Sequence, residues 1–547
     1  MSNMTGGDAR IQFVFNAHLP FVRFPQYEDF LEERWFFEAM LESYLPMVDM
    51  LDGLKKDNIP YHCSWVVSPT LVSMADDELL KKRFLKYVQR QLSLVEKEKK
   101  RCGDQEEYYP IVCFYEERFQ KSLETFNRFN GSLLQAWSSL AQGGEGLELI
   151  PTAATGVFLP LYRSCPQVVR TQISCGLANL RDKLAGYNPK GFWLPFCGYF
   201  PDLEYYLQEE GLQYTFLSTS ALCGEQGMAD PNSYKIFQNK EGFKFFPVSR
   251  LLLERVLDQQ MGYSTHPVYR DFYRDIAFEL PLEDIGDYAL HHGERVPTGL
   301  KYLASTGKTQ QKDIYRPHRA HEQAREHAQD FVDNLVNVAK ELSVTNNATP
   351  VMTCALDIEF FGHWWFEGVT FWDQTFRSLH NFKNLTPCVP SSSLGMIKTR
   401  TEIAPSFASW GEDNYAQVWL SDKNDWLVRH FYVLVERMTE LAQRFDERAG
   451  LRKRILDQAA REVLLALSSD WPMLLHNGSN EKFALDQIRR HFANFYKICD
   501  GLSSNEVYVD WFIGLEKQDN IFLGKNFTYK AFTLEELPSP ESGERRN

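Results

Sequence analysis

Apolar runs alternate with amphipathic segments through roughly the first 360 residues of the chain. Six runs predict buried strands that end in turns: IQFVFNAHLPFVRF, NIPYHCSWVVSPTLVSM, GLELIPTAATGVFLPL, PKGFWLPFCG, LQYTFLSTSAL and TPVMTCALDIEFFGHWW. Between them lie amphipathic segments that predict helices, such as DELLKKRFLKYVQRQLSLVEKEKKR and PDLEYYLQEEGL. Strands that alternate with helices favour an α/β fold built on a parallel sheet or barrel.

The pattern changes near residue 400. Three long helical patterns follow, NDWLVRHFYVLVERMTELAQRF, RKRILDQAAREVLLALSSD and NEKFALDQIRRHFANFYKICDGL. They predict a C-terminal helical domain over residues 401–533, packed on a barrel domain formed by residues 1–400. The last residues, 534–547, are polar and contain Pro, Ser and Gly, so we predict a disordered tail.

Composition and charge exclude several classes of function. The chain has 547 residues, 44% of them hydrophobic, which is enough for a large core in two or three domains. A formal net charge of −14 argues against a nucleic-acid partner, because such proteins present a basic face. We find neither a run of about 20 apolar residues nor a signal peptide, so we expect no membrane partner.

The cysteines point to a reducing compartment. The chain has ten, scattered and without a CxxC pair, which predicts reduced thiols in a cytoplasmic protein. The same scatter leaves no ligand spacing typical of zinc, and we expect neither a metal nor a cofactor. The oligomeric state cannot be predicted from these features.

Polar residues gather just after the predicted strands. His18, Trp193, Asp357 and His363 all lie at or beyond strand ends, and in a parallel barrel that edge is the active-site face. In ALDIEFFGHWWFEG, Asp357 and Glu359 alternate with apolar residues, so a strand would direct both to one face.

Aromatic residues near these acids suggest a sugar site. Trp364 and Trp365 follow the acids directly, and such rings can stack on pyranose faces while the acids polarise hydroxyl groups. The alternative is a buried ion pair with core tryptophans. Trp410 lies in a Ser-Trp-Gly turn and is a candidate exposed ring, whereas Trp419 could equally belong to the core.

The segment SSDWP places Asp470 and Trp471 between two predicted helices. An aspartate at this position could reach the site. It could equally cap the following helix, since aspartate is favoured at a helix N-terminus.

Together these segments resemble the branching-enzyme type of glycoside hydrolase family 57, nearly end to end. The pieces that carry the resemblance are HLP, GFWLP, DFYRDIAFEL, GERVPTGLKY, DIEFFGHWWFEG, SWGEDNYAQVWL, KNDWLVRHF and SSDWP. The resemblance implies a (β/α)7 barrel, a small inserted helical domain around residues 200–260 and a C-terminal helical domain. It also implies retaining chemistry, in which an α-1,4-glucan is cut and transferred to a 6-hydroxyl. The expected partner is an α-glucan polysaccharide or maltooligosaccharide.

The resemblance also implies roles for single residues. Asp357 matches the general acid/base of the family. The family nucleophile is a glutamate in a motif like WLPEC, and here the motif reads WLPFC, so Phe196 stands at its position. The implied substrate-binding residues are His18, Trp193, His363, Trp364, Trp365, Trp410, Trp419, Asp470 and Trp471.

Other departures from the family pattern accompany Phe196. Gly156 stands where the family has a histidine, Phe24 replaces a polar or histidine position, and GYST replaces GYPG around Tyr263. We therefore predict a catalytically impaired protein that binds α-glucan. Two alternatives stay open: an active branching enzyme that uses Asp357 with a non-standard partner, and a protein–protein module without glucan affinity.

Overall fold

Seven parallel strands form a ring in the computed structural model of the protein. The structure describes residues 9–103, 105–141, 146–184, 186–224, 234–249, 251–345, 349–396, 402–411, 414–524 and 527–534. The strands are β1 Ala9–Ala17, β2 Cys63–Val67, β3 Leu147–Pro151, β4 Gly191–Phe192, β5 Tyr214–Ser218, β6 Lys244–Val248 and β7 Val351–Asp357. β1 pairs with β2, β2 with β3, β4 with β5, β5 with β6, β6 with β7, and β7 with β1. Between β3 and β4 a single bridge joins Thr152 to Trp193, the residues that directly follow these strands. This nearly closed ring confirms the predicted (β/α)7 barrel.

Successive side chains of β1 point alternately outward to the surrounding helices and inward to the barrel interior. Phe13 points outward and packs edge-on against Trp372, with ring centroids 5.0 Å apart. Gln12 points inward and accepts a hydrogen bond from the Thr353 hydroxyl of the neighbouring strand β7 at 3.0 Å. Because side chains alternate along a strand, Asn16 at the end of β1 also faces inward, opposite Asp357 in the β1–β7 register.

Helices surround the barrel and then continue into the C-terminal domain. Around the barrel lie α1 Glu33–Ala39, α2 Leu45–Lys56, α3 Pro69–Asp76, α4 Glu78–Cys102, α5 Tyr109–Arg128, α6 Leu133–Ala141, α7 Pro166–Lys183, α8 Leu203–Glu209, α9 Thr219–Cys223, α10 Glu254–Leu257, α11 Ile276–Glu279, α12 Leu282–Ile285, α13 Pro317–Thr345, α14 Gly368–Leu379 and α15 Pro390–Ser393. The C-terminal helices are α16 Trp426–Arg444, α17 Gly450–Ala466, α18 Asp470–Asn477, α19 Glu481–Ser504 and α20 Val509–Gln518. A π-helix, Met40–Tyr44, joins α1 to α2.

The insertion expected around residues 200–260 has a different form. That region contributes β5 and β6 to the barrel, together with short helices. The strand segments YTFLS and KFFPV are five residues each and almost wholly buried, which suits a parallel strand covered on both faces. The long helices outside the regular barrel pattern lie instead between β2 and β3, where α4, α5 and α6 follow one another.

The C-terminal region begins irregularly and becomes helical at Trp426. Residues 402–411 and 414–424 form a loop that carries Trp410 and Trp419 over the barrel. Of the tail predicted to be disordered, only Leu534 lies within the described residues. No helix in the described ranges is long and apolar enough to cross a bilayer. None of the ten cysteines, all of which lie within the described ranges, forms a disulfide bond.

Candidate active site

A cleft at the carboxyl ends of the strands is completed by a turn of the helical domain. His18 follows β1, and its Nε2 lies 3.0 Å from Oδ1 of Asp470, the first residue of α18. The Ser468 hydroxyl donates to the same carboxylate at 2.6 Å. One residue on, the Ser469 hydroxyl accepts from the backbone N–H of Phe158, beyond β3, at 2.7 Å. The turn between α17 and α18 is therefore hydrogen-bonded to the segments that follow β1 and β3.

Asp357 ends β7 at the floor of this cleft. The Asn16 side-chain amide donates to its Oδ1 at 2.8 Å. The carboxylate is accessible from the open side of the cleft, and the protein around it removes enough water to raise its pKa above the ordinary value. The hydrogen bond from Asn16 and the charge of His18 oppose that rise. A raised pKa favours the protonated form of a carboxyl group, which is the form that can donate a proton.

The alternation of apolar and acidic residues predicted Asp357 and Glu359 on one strand, but Glu359 lies beyond the strand. The strand ends at Asp357, and Ile358–Phe360 form a 3-10 turn. The Glu359 carboxylate accepts from the backbone N–H of His18 at 3.2 Å and from the Tyr44 hydroxyl. Burial, and next the charge of Asp357, raise the pKa of Glu359 to about 8. Both carboxyls come from the same strand end, so they approach a ligand from the same side.

The surroundings of His18 favour its charged form. Burial lowers its pKa, but the charge and hydrogen bond of Asp470, followed by the charges of Glu359 and Asp357, raise the pKa above the ordinary value. The Nδ1 atom is buried and has no hydrogen-bond partner among the described residues. With Nε2 bonded to Asp470, Nδ1 is the ring nitrogen left for a ligand: it donates when the imidazole is charged and accepts when it is neutral.

A strained elbow follows β4 and carries Phe196. Phe196 and Cys197 both adopt positive φ, 58° and 50°, a region that costs non-glycine residues about 1–3 kcal/mol each. The Phe196 carbonyl accepts from the backbone N–H of Trp410 at 2.8 Å. Burial, and next the charge of Asp357, raise the pKa of the Cys197 thiol.

The Phe196 ring belongs to a column of aromatic side chains. Its centroid is 4.6 Å from that of Trp419, which stacks on Phe158 at 4.2 Å with an interplanar angle of 19°. The column joins the β4 elbow, the loop over the barrel and the segment after β3. It fills this part of the cleft with apolar rings.

The other predicted tryptophans divide into buried and open groups. Four are buried, namely Trp193, Trp365, Trp419 and Trp471. Trp410 is partly exposed and stands edge-on to Trp193 at 5.1 Å, whereas half of the Trp364 surface is open to solvent. The remaining predicted residue, His363, bonds to Glu42 through Nδ1 at 2.7 Å and lies beside Trp364.

Sequence reasoning missed three groups that contact these residues. Asn16 had a readable signal, because it is the polar end of an apolar strand. Tyr44 and Glu42 had none, because they come from a π-helix whose apolar surroundings resemble any buried helix.

Gly156 makes room for His18, and this gives a first prediction. A Cβ at residue 156, where φ is 63°, would lie 2.6 Å from Cε1 of His18. We expect Gly156→Ala to displace the imidazole from Asp470 and to lower the free energy of unfolding by about 1–3 kcal/mol. Urea unfolding measures the loss, and NMR titration of His18 reports the lost partner as a lower pKa.

Gly211→Ala is the matched control for that variant. Gly211 has a similar φ of 79° and nothing within 4 Å of a Cβ, so it reports backbone strain alone. Equal losses in both variants, with an unchanged His18 titration, would contradict a steric role for residue 156.

Three buried side chains of the helical domain are close enough to hold a metal ion together, Glu462, His491 and Asp519. Arg490 already bonds to two of them, Asp519 and His491. Its guanidinium donates to both carboxylate oxygens of Asp519 at 2.9 and 2.7 Å, and Gln458 donates to Glu462 at 2.9 Å. Their acceptors are therefore satisfied by protein donors, as in a structural polar network.

Comparisons with known proteins identify the family. A sequence model of Glycosyl hydrolase family 57 matches residues 12–404, and one of the 1,4-alpha-glucan branching enzyme C-terminal region matches residues 430–532. The 1,4-alpha-glucan branching enzyme TK1436 of Thermococcus kodakarensis is 28% identical over 542 residues, covering 94% of this chain and 77% of that protein.

Solved structures agree over nearly the whole chain. The alpha-amylase AmyC of Thermotoga maritima superposes with a TM-score of 0.89 and 31% identity, covering 97% of this chain and 100% of that one. A branching enzyme of this family from Pyrococcus horikoshii gives 0.85 and 25%, with 97% and 98% coverage. The chain belongs to Glycosyl hydrolase family 57 and is a homologue of its 1,4-alpha-glucan branching enzymes.

Proposed function

We propose that this protein binds α-1,4-glucan in the barrel cleft and is catalytically impaired, because Phe196 stands where the family has its nucleophile. The observation that carries this proposal is the pairing of an accessible Asp357 with a neighbouring elbow that presents a phenyl ring. The scaffold for binding and for proton transfer persists, while the attacking carboxylate is absent from the elbow.

Retaining glycoside chemistry needs two carboxyl groups about 5–5.5 Å apart, one to protonate the leaving oxygen and one to attack the anomeric carbon. Asp357 can supply the proton. Phe196 cannot attack, and loss of such a nucleophile removes on the order of 10³- to 10⁶-fold in rate. Glu359 comes from the same strand end as Asp357, and Glu204 is buried against the Tyr199 hydroxyl at 2.6 Å. The positions of Glu359 and Glu204 therefore do not favour either of them as a replacement nucleophile.

Several groups in the cleft remain suited to a glucan. His18 Nδ1 and the indole nitrogens of Trp410 and Trp419 are buried polar atoms without a partner among the described residues. Buried polar groups are normally hydrogen-bonded, so such atoms favour ligand hydroxyls as partners. The partly exposed ring of Trp410 adds an apolar surface for a pyranose face.

A second candidate function is an active hydrolase or branching enzyme. The similarity to a Thermotoga maritima alpha-amylase and the raised pKa of Asp357 favour it. Such an enzyme would use Asp357 with a carboxylate other than one at position 196.

The test measures binding and chemistry on the same protein. We expect wild-type protein to bind maltoheptaose and to release no more reducing ends or α-1,6 branches from amylose than Asp357→Asn does. Trp410→Ala should weaken binding about two- to tenfold, because it removes one stacking ring.

Trp426→Ala is the control, since Trp426 is an exposed tryptophan on α16. Product formation that disappears in Asp357→Asn would favour the active-enzyme alternative. If the wild-type protein has no affinity for maltoheptaose, the remaining hypothesis is a protein–protein module. The ten cysteines, none of which forms a disulfide bond among the described residues, support the further proposal of a reducing, cytoplasmic location.

A further inference from the structure

A cavity of about 380 Å³ lies between α2, α5, α13 and α14, in the layer of helices around the barrel. Its volume falls within the range of about 300–1,000 Å³ that small-molecule sites occupy. The charged part of its wall has more cations than carboxylates, although the whole chain has a formal net charge of −14. The charged residues of the wall are Arg118, Lys121, Arg325, Arg377, Asp49 and Asp373. None of the residues that line this cavity belongs to the cleft described above.

Helical spacing brings these side chains to one cavity. On α5, Arg118, Lys121 and Thr125 are three and four residues apart, which places them on one face of the helix. On α14, Asp373 and Arg377 are four residues apart and share a face in the same way. Two helices therefore each turn a polar face to the cavity.

The carboxylates of the wall are already paired with cations of the same wall. Asp49 pairs with Lys121 at 2.8 Å, and Asp373 pairs with Arg377 at 3.0 Å. Arg118 and Arg325 form no ion pair with a carboxylate in the described part of the chain. The cavity thus keeps two guanidinium groups whose charges no protein carboxylate contacts.

Arg118 has a fixed orientation and unused donors. Its Cζ atom lies 4.0 Å from the centroid of the Phe366 ring, and its Nη2 donates to the Glu42 carbonyl at 3.0 Å. Its Nε is buried and has no partner among the described residues. A guanidinium carries five N–H donors, so most of those on Arg118 remain for a ligand.

His321 lies next to both guanidinium groups in the electrostatic sense and remains neutral. Its Nδ1 atom lies 2.6 Å from the hydroxyl of Thr370, which lines the cavity. Burial, and next the charges of Arg118 and Arg325, lower the pKa of His321 to about 3. The imidazole therefore adds no charge at neutral pH, and an anion in the cavity would reduce the repulsion between the cations around it.

We propose that this cavity binds a small phosphate ester, of about the size of a hexose phosphate, through the guanidinium groups of Arg118 and Arg325. Arginine is favoured for this task because its paired N–H donors match the oxygens of a phosphate group. Leu45, Met50 and Val369 supply an apolar part of the wall for the carbon skeleton of the ligand. The inference does not depend on the proposed function, because the cavity and the cleft share no lining residue.

Isothermal titration of the full-length protein with glucose 6-phosphate tests the proposal. We expect a Kd below about 1 mM, weaker binding of inorganic phosphate, and no binding of glucose at the same concentrations. Arg325→Met should weaken binding of the ester about three- to tenfold, and Arg118→Met about tenfold or more, because hydrogen bonds to charged groups are stronger than neutral ones. Circular dichroism checks that both variants fold. Since Arg325 is exposed, its variant tests the site without disturbing the core.

Arg319→Met is the matched control, because Arg319 is an exposed arginine of the same helix that does not line the cavity. It should keep the wild-type affinity. Equal weakening in the Arg319 and Arg325 variants would overturn the site in favour of a general charge effect. Absence of saturable binding, equal binding of glucose, or displacement of the ester by maltoheptaose would also overturn it. Inorganic phosphate that binds as tightly as the ester would overturn the assignment of a hexose-sized ligand.

Discussion

Replacing Phe196 by glutamate is expected to give the protein glycoside-cleaving activity at least about 10³-fold above the wild type. The elbow keeps residue 196 at positive φ, so a carboxylate there would lie where the phenyl ring now lies. Removing the ring also opens space against Trp419. In the proposed function Asp357 is the acid partner, and its raised pKa and its exposure in the cleft suit that role. Reducing ends and α-1,6 branches formed from amylose are the measurements.

Phe196→Gln is the matched control, because it has the size of glutamate and no nucleophilic oxygen. Adding Asp357→Asn to the glutamate variant should abolish the new activity. A buried carboxylate without a partner costs stability, so circular dichroism and thermal unfolding accompany the assay. A folded Phe196→Glu protein as inactive as Phe196→Gln would show that position 196 is not what limits the chemistry. The contact between Gly156 and His18 would then be the next position to change.

Replacing Arg490 by methionine is expected to lower the free energy of unfolding by about 3–5 kcal/mol, because it leaves buried carboxylates uncompensated. Asp519 is fully buried and takes two hydrogen bonds from this guanidinium. Glu462 lies beside it and is also fully buried. Urea unfolding at pH 8, followed by tryptophan fluorescence, measures the loss.

The same variant should recover part of its stability in acid. Burial, and next the charge of Glu462, already raise the pKa of Asp519 to about 6, and loss of Arg490 should raise it further. A carboxyl whose pKa is higher in the folded than in the unfolded state binds protons more strongly when folded, so acidification favours folding. We therefore expect a smaller difference from wild type at pH 5.5 than at pH 8.

Arg454→Met is the control for the lost charge. Arg454 is 55% exposed in its pair with Glu516, and such surface pairs contribute about 0–1 kcal/mol. Equal losses in the Arg490 and Arg454 variants would contradict a buried network that depends on its guanidinium.

Much of the barrel could be predicted from the chain because strand signals are local. The runs that became β1 and β7 are apolar, short and followed by polar residues. Two periodic rules then place His18 and Asp357 at one edge: side chains alternate along a strand, and parallel strands end together. The strand β6 was missed because KFFPV is too short for periodicity to separate it from a loop or a helix turn.

The sequence by itself determined the barrel class, the helical C-terminal region and the place of Asp357 at a strand end, because these depend on spacing along neighbouring residues. Only the tertiary structure decided which residues meet across the chain. His18 bonds to Asp470, 452 residues away. Trp364 and Trp365 are adjacent in the sequence, yet one is half exposed and the other is buried. Spacing sets the direction of a side chain on its own element, whereas the packing of distant elements decides what covers it.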